Sequence, residues 1–181
     1  MKTLPILAAV AALALSACST APVQPPLRTV PYVDLPRFMG DWFVIGTIPW
    51  FVERDNVGTM DIYKPRPDGR IDITYAFHKK SLDAPRREMK AVAEVVDKET
   101  NARWAVQFLW PFKAPFLVID LDPDYSRTTI GYPDRSLIWI MARTPQIPES
   151  EYSAALAAAA AQGYDTSRIV RVPQKPAATA P

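Results

Sequence analysis

From residue 41 onward the chain is a series of short runs rich in Val, Ile, Phe, Tyr, Trp and Thr, each bounded by turn residues. Several runs alternate strictly. In Arg70–His78, Ile71, Ile73, Tyr75 and Phe77 share one face and Asp72, Thr74 and Ala76 the other. Glu88–Val96 sets Met89, Ala91, Ala93 and Val95 against Glu88, Lys90, Val92 and Glu94. Ala102–Trp110 sets Trp104, Val106 and Phe108 opposite Gln107. Trp42–Ile48, Gly58–Lys64, Phe116–Leu121, Ser126–Gly131 and Leu137–Ala142 bring the runs to eight. A period of two with one buried face means antiparallel strands. Eight of them in up-and-down order close most simply into a β-barrel, which leaves no exposed edge; a two-sheet sandwich is the alternative. Asp68-Gly69 marks the tip of the hairpin between the second and third strands.

The pattern changes after residue 147. Glu149 and Glu151 open a helix that runs to about residue 162 and stops at Gly163. Arg168–Val172 reads as a further strand, and residues 173–181 as a disordered tail. The fold class is therefore all-β, an eight-stranded up-and-down barrel with one C-terminal helix. The chain of 181 residues suffices for one such domain plus tails. A net charge of +2, with no long basic run, argues against nucleic acid as a partner.

The 19 prolines crowd the two ends of the chain and the gaps between apolar runs. Met1-Lys2 followed by the apolar stretch Leu4–Leu15 has the shape of a secretory signal peptide over residues 1–17, too short to span a bilayer. Leu15-Ser16-Ala17-Cys18 resembles the lipobox of bacterial lipoproteins, which implies cleavage before Cys18 and a diacylglycerol on its thiol. The alternative is an ordinary signal peptide with a stray cysteine. Cys18 is the only cysteine, so no internal disulfide holds the fold. Two or three acyl chains, at about 0.8 kcal/mol per buried methylene, make a firm membrane anchor. By the same resemblance, Ser19 rather than Asp after Cys18 implies sorting to the outer membrane. Residues 18–36 read as a proline-rich tether, whose last part, Val30–Leu35, packs on the domain at 37–172. About 18 residues in polyproline-like geometry would reach roughly 55 Å.

Three patches, in this order of elements, resemble the lipocalin family and its bacterial outer-membrane lipoprotein branch. Gly40-Asp41-Trp42 matches the family's Gly-x-Trp signature. Asp122-Pro123-Asp124-Tyr125 matches its Asp-x-x-Tyr-like turn, and Trp139-Ile140-Met141-Ala142-Arg143-Thr144-Pro145 the end of its eighth strand. The resemblance implies that Trp42 plugs the closed end of the barrel with the Arg143 guanidinium over its indole, a contact of about 0.5–2 kcal/mol. Gly40, Trp42, Asp122, Tyr125 and Arg143 are thus structural expectations rather than ligand residues.

An eight-stranded barrel is either packed solid or encloses one small ligand. Aromatics at alternating positions, taken alone, fit a plain core better than a pocket wall. The resemblance favours the pocket, with Phe116 and Trp139 as its lining. Tyr75, Phe77, Trp104, Phe108, Val118 and Leu137 are further ligand-binding candidates from alternation. The branch binds fatty acids and lysophospholipids, so the resemblance implies such a ligand, and it leaves room for a homodimer. Asp120 falls on the inward phase with Phe116 and Val118. It either pairs with an inward Arg or Tyr, the favoured reading, or is turned out by a bulge. The segments 50–54, 79–87 and 110–115 mix apolar or aromatic groups with cations at the open rim, and fit a lid, a lipid contact or a subunit contact.

Catalysis would call for a histidine, a reactive cysteine or a convergent carboxylate pair. His78 is the single histidine and falls at a strand end beside Lys79 and Lys80, as a solvated residue rather than a base. No Cys/His set has metal-ligand spacing, and neither a phosphate loop nor a nucleophilic-serine motif occurs, so no metal or cofactor is expected. The residues point to a binding protein. A lipocalin-like enzyme for a hydrophobic substrate and a structural or partner-binding envelope lipoprotein are the alternatives.

Overall fold

The computed structural model describes residues 24–176. Cys18 and the expected signal peptide lie outside the described residues. Eight antiparallel strands follow one another: β1 (Gly40–Ile48), β2 (Asn56–Pro65), β3 (Ile71–Lys79), β4 (Arg86–Val95), β5 (Arg103–Leu109), β6 (Phe112–Leu121), β7 (Arg127–Gly131) and β8 (Ile138–Ala142). Each pairs with the next, β8 pairs back on β1, and β1 pairs with β2, so the sheet closes. A short helix, α1 (Leu35–Phe38), precedes the barrel, and α2 (Glu149–Ala161) lies outside it. A two-residue strand, β9 (Val170–Arg171), adds to β1 at Gly46 and Thr47. The expected barrel and helix are both present; the sandwich is not.

The ends of the barrel differ by construction. Connections 66–70, 96–102 and 122–126 lie at the end where β1 begins; connections 49–55, 80–85, 110–111 and 132–137 lie at the other. At the first, α1 is started by Asp34, whose carboxylate accepts from Arg37 N at 3.2 Å, and it drops Phe38 into the barrel axis. This end is closed. The fully buried side chains Phe38, Trp42, Tyr63 and Trp104 meet there with ring centroids 5.1–5.7 Å apart. Such edge and tilted contacts are the favoured aromatic geometries.

α2 lays Tyr152, Ala155 and Ala159 against the outer face of the barrel. Its close approach depends on Gly46, where an added Cβ would come within 2.9 Å of the Tyr152 ring. The register shift between Val44 and Gly46 turns β1 at the same point.

Three expectations need correction. The sixth strand starts at Phe112 rather than at Phe116: Phe112 pairs with Leu109, because a register shift after Val106 carries the ladder to the hairpin tip. The N-terminal tether is shorter than its proline content suggests. Pro25 O accepts from Arg135, Leu27 is buried beneath α2, Val30 N donates to Val118 O and Val33 N to Thr100 O. Apolar residues spaced among the prolines dock this segment along the wall. At the other terminus, Pro173 and Gln174 belong to the barrel seam rather than to a disordered tail. Pro173 O accepts from Gly58 N, and the Gln174 amide donates to Val44 O and Thr59 O, bridging β1 and β2 where they diverge.

Asp120 is also resolved. The register shift between Val118 and Asp120 opposes Asp120 to Thr129, on the outer face, while Val118 stays opposite the buried Ile130. Cross-strand partners share a face, so the bulge turns Asp120 outward. There Arg127 holds Asp120 at 2.8 Å and Asp122 at 2.6 Å. The favoured inward placement is overturned, although the arginine partner is real.

Candidate functional site

The signature residues build the closed end. Gly40 has φ +97°, open to glycine and strained for other residues. It turns the chain so that Trp42 enters the core, its indole N–H donating to Phe38 O at 2.8 Å. The Arg143 guanidinium lies 3.8 Å from the Trp42 ring and donates to the carbonyls of Arg37, Phe38 and Asp41. Tyr125, itself at φ +63°, accepts from Asp34 N at 2.8 Å, and Arg37 stacks over its ring. Asp122 is fixed by Arg127. All five residues lie at the closed end, outside the cavity lining.

Above this floor the barrel holds a cavity of about 220 Å³ that opens at the 49–55 and 132–137 end. That is less than the roughly 300–1,000 Å³ of sites that bury drug-sized molecules, so it suits a slim chain or one end of a larger ligand. Tyr75, Phe108, Phe116, Leu137 and Trp139 line it. Trp104 and Val118 do not. Both face inward but lie too near the closed end; Trp104 stacks on Phe116 at 5.2 Å and forms part of the floor, and Val118 is fully buried in the same cluster. Phe77 is also off the cavity: it stacks on Tyr75 at 5.2 Å, and Tyr75 presents its ring instead.

The lining includes residues that alternation did not assign. Trp50, Val52 and Glu53 enter from the loop after β1, Asp61 and Tyr63 from β2, and Tyr132 from the loop after β7. Asp61 opposes Trp42 on one side and Tyr75 on the other, both inward, which places it on the inner face. Counting back by two from Tyr63 would have found it. The signal was masked because Gly58, Thr59 and Met60 break the alternation of β2 at a register shift.

The cavity is thus acidic as well as aromatic. Asp61 accepts from Tyr63 Oη at 3.0 Å. Burial pushes its carboxyl up to about 7; the tyrosine hydrogen bond opposes that shift and the Glu53 charge adds to it. Glu53 is raised by burial too, partly offset by the Trp50 amide at 2.9 Å and the Trp139 indole. Burial also raises the Tyr75 and Tyr63 hydroxyls. No Lys, Arg or His lines the cavity among the described residues. The cations Arg54, Lys80, Arg86 and Arg87 are exposed outside it, and Lys79 is tied to Val52 O. His78, near the end of β3, is half-buried against the 80–85 loop rather than fully solvated, with Nδ1 against Ala84 O, and lies away from the cavity. Among the described residues no cluster of three His, Cys, Asp or Glu side chains could hold a metal.

The rim is apolar. Phe51, Leu109, Trp110 and Phe112 are all more than 60% exposed, and Trp50 and Phe108 nearly half. These side chains crowd the two connections that flank the mouth.

A family model described as a lipocalin-like domain matches residues 33–174. The outer membrane lipoprotein Blc of Citrobacter freundii is 30% identical over 179 residues, covering 96% of this chain and 98% of that protein. Temperature-induced lipocalin-1 of Arabidopsis thaliana is 31% identical over 82% of this chain and 83% of its own length. Among solved structures, insecticyanin of the tobacco hornworm Manduca sexta superposes with a TM-score of 0.67 at 16% identity, covering 83% of this chain and 86% of that one. The match to the family model spans the whole barrel and the match to Blc nearly the whole chain, so this protein belongs to the lipocalin family, in the bacterial branch that includes Blc.

Proposed function

We propose that the protein is a lipid-anchored lipocalin of the cell envelope that takes single-chain apolar lipids, such as fatty acids or lysophospholipids, into its barrel. The observation that carries this reading is the aromatic-walled cavity beneath an apolar mouth, on a floor locked by Trp42 and Arg143. Lipocalins are in general binding proteins, and we read this one as a carrier rather than an enzyme. The Blc relatives are called outer membrane lipoproteins, and the lipobox-like run ending at Cys18 fits the same location.

The placement of the N-terminal segment bears on orientation. Its carbonyl at Pro25 meets Arg135, in the mouth-side loop 132–137, and the chain then descends past Val118 to Thr100 at the closed end. Gln24 and Pro25, where the described chain begins, therefore lie on the mouth side. The roughly six residues from Cys18 to Gln24 span at most about 20 Å, against the 55 Å of a free tether. An acylated Cys18 would hold the mouth beside its membrane, with Trp50, Phe51, Trp110 and Phe112 at headgroup level and rim cations near lipid phosphates. This favours the lipid contact over the lid and the subunit contact. Lipid would then move between bilayer and barrel over a short path, which suits local storage, scavenging or transfer.

Incubation of the purified protein with a lipid extract, followed by mass spectrometry of the complex, tests the carrier reading. Unchanged lipid at one molecule per barrel supports it, turnover supports an enzyme, and an empty barrel supports a structural role. Cys18→Ser should release the protein from membranes and leave ligand affinity intact.

A further inference from the structure

The charged groups of the cavity are of one sign. Glu53 and Asp61 bring carboxyls without a cation in the lining. Just beside them, Asn56 is 8% exposed, donates through Nδ2 to Tyr75 Oη at 3.0 Å, and leaves Oδ1 buried with no donor. Asn56 borders a small void shared with Glu53, Tyr75 and Trp139, on the β1–β2 side of the barrel. Two carboxyls and an amide oxygen thus lie on the β1–β2 side of the barrel, and no cation of the cavity lining balances them. A buried acceptor left unpaired costs free energy, and a buried carboxylate costs more.

The chemistry of a ligand follows from this deficit. A methyl-ended chain lying against these groups would leave Asn56 Oδ1 without a donor and the two carboxyls without a counter-charge. A carboxylate head would add a third negative charge to an acidic cavity. A protonated amine would donate to the carboxyls and to Asn56 Oδ1, and the faces of Trp50 and Trp139 would favour its charge. Resting on the reading that the cavity takes a single-chain amphiphile, we propose that this ligand carries a protonated amine, seated between Glu53 and Asp61 on the β1–β2 side of the mouth. The titratable groups facing Asp61 are Glu53, Tyr63 and Tyr75, with Arg143 acting on Tyr63 from the closed end. An amine should draw the proton off Asp61, so binding of the amine should tighten as pH rises from 6 to 8 and should release protons.

The test compares dodecylammonium, dodecanol and dodecanoate, each below its critical micelle concentration, by calorimetric titration of the full chain at pH 8. The expected order is dodecylammonium first, with at least roughly tenfold tighter binding than dodecanoate. Glu53→Gln with Asp61→Asn should reduce that preference to below about twofold. Each single variant serves where the pair perturbs folding. Equal binding of all three probes, tighter binding of dodecanoate, or an amine preference that survives the paired substitution overturns the proposal while the lipid-cavity reading stands. Binding of none of the three overturns both.

Discussion

The two ends of this barrel are built from the same residue types and put them to opposite use. At the closed end aromatic rings interlock, and the polar groups that enter are matched: the Trp42 indole with a carbonyl, Arg143 with four carbonyls and a ring, the Asp34 amide with Tyr125. At the mouth aromatic rings are exposed to water, Glu53 and Asp61 have no cation beside them in the lining, and Asn56 Oδ1 has no donor. The contrast separates stability from binding along one axis. A floor packed to the density of a protein interior lets the rest of the barrel stay open. Side chains left unsatisfied at the other end are where a ligand has something to gain.

Substitutions at the two ends should therefore behave differently. The largest effect is expected at Trp42→Ala, which empties the centre of the floor and should cost about 3–5 kcal/mol in chemical denaturation. Arg143→Lys removes the planar fork that reaches four carbonyls while lying on the indole, and should cost about 1–2 kcal/mol in the same measurement. At the mouth the sign reverses. Asp61 holds its proton more tightly folded than unfolded, so its stabilising contribution is present below about pH 4 and lost as pH rises through about 7. Asp61→Asn should thus raise stability at pH 8, by on the order of 1–3 kcal/mol, and change it little at pH 4; thermal melts at the two pH values check this. The smallest effect on folding belongs to Trp110→Ser with Phe112→Ser, within about 0.5 kcal/mol of wild type. The same pair should weaken binding of the unacylated protein to anionic vesicles in a flotation assay.

The sequence was most readable where periodicity and local signals agree. Strict alternation in β3, β4 and β5 placed Tyr75, Val106 and their neighbours on the inner face, and Gly40, Trp42 and Arg143 marked the closed end. Alternation reports a face but not a depth, which is why Trp104 and Val118 were grouped with Phe116 although they lie below the cavity. Bulges defeat it altogether: one turned Asp120 out to Arg127, and another concealed the inward Asp61. Composition misled at the N-terminus, where prolines suggested a free tether up to residue 29 and Pro25 and Leu27 in fact dock it.

The central claim, that the open end holds the ligand, is tested most directly at Trp139, half-buried in the wall beside Glu53. Trp139→Ala should lower affinity for a single-chain lipid by roughly tenfold or more, with the cooperative unfolding transition retained. Unchanged lipid affinity in a Trp139→Ala protein that still folds would contradict the account.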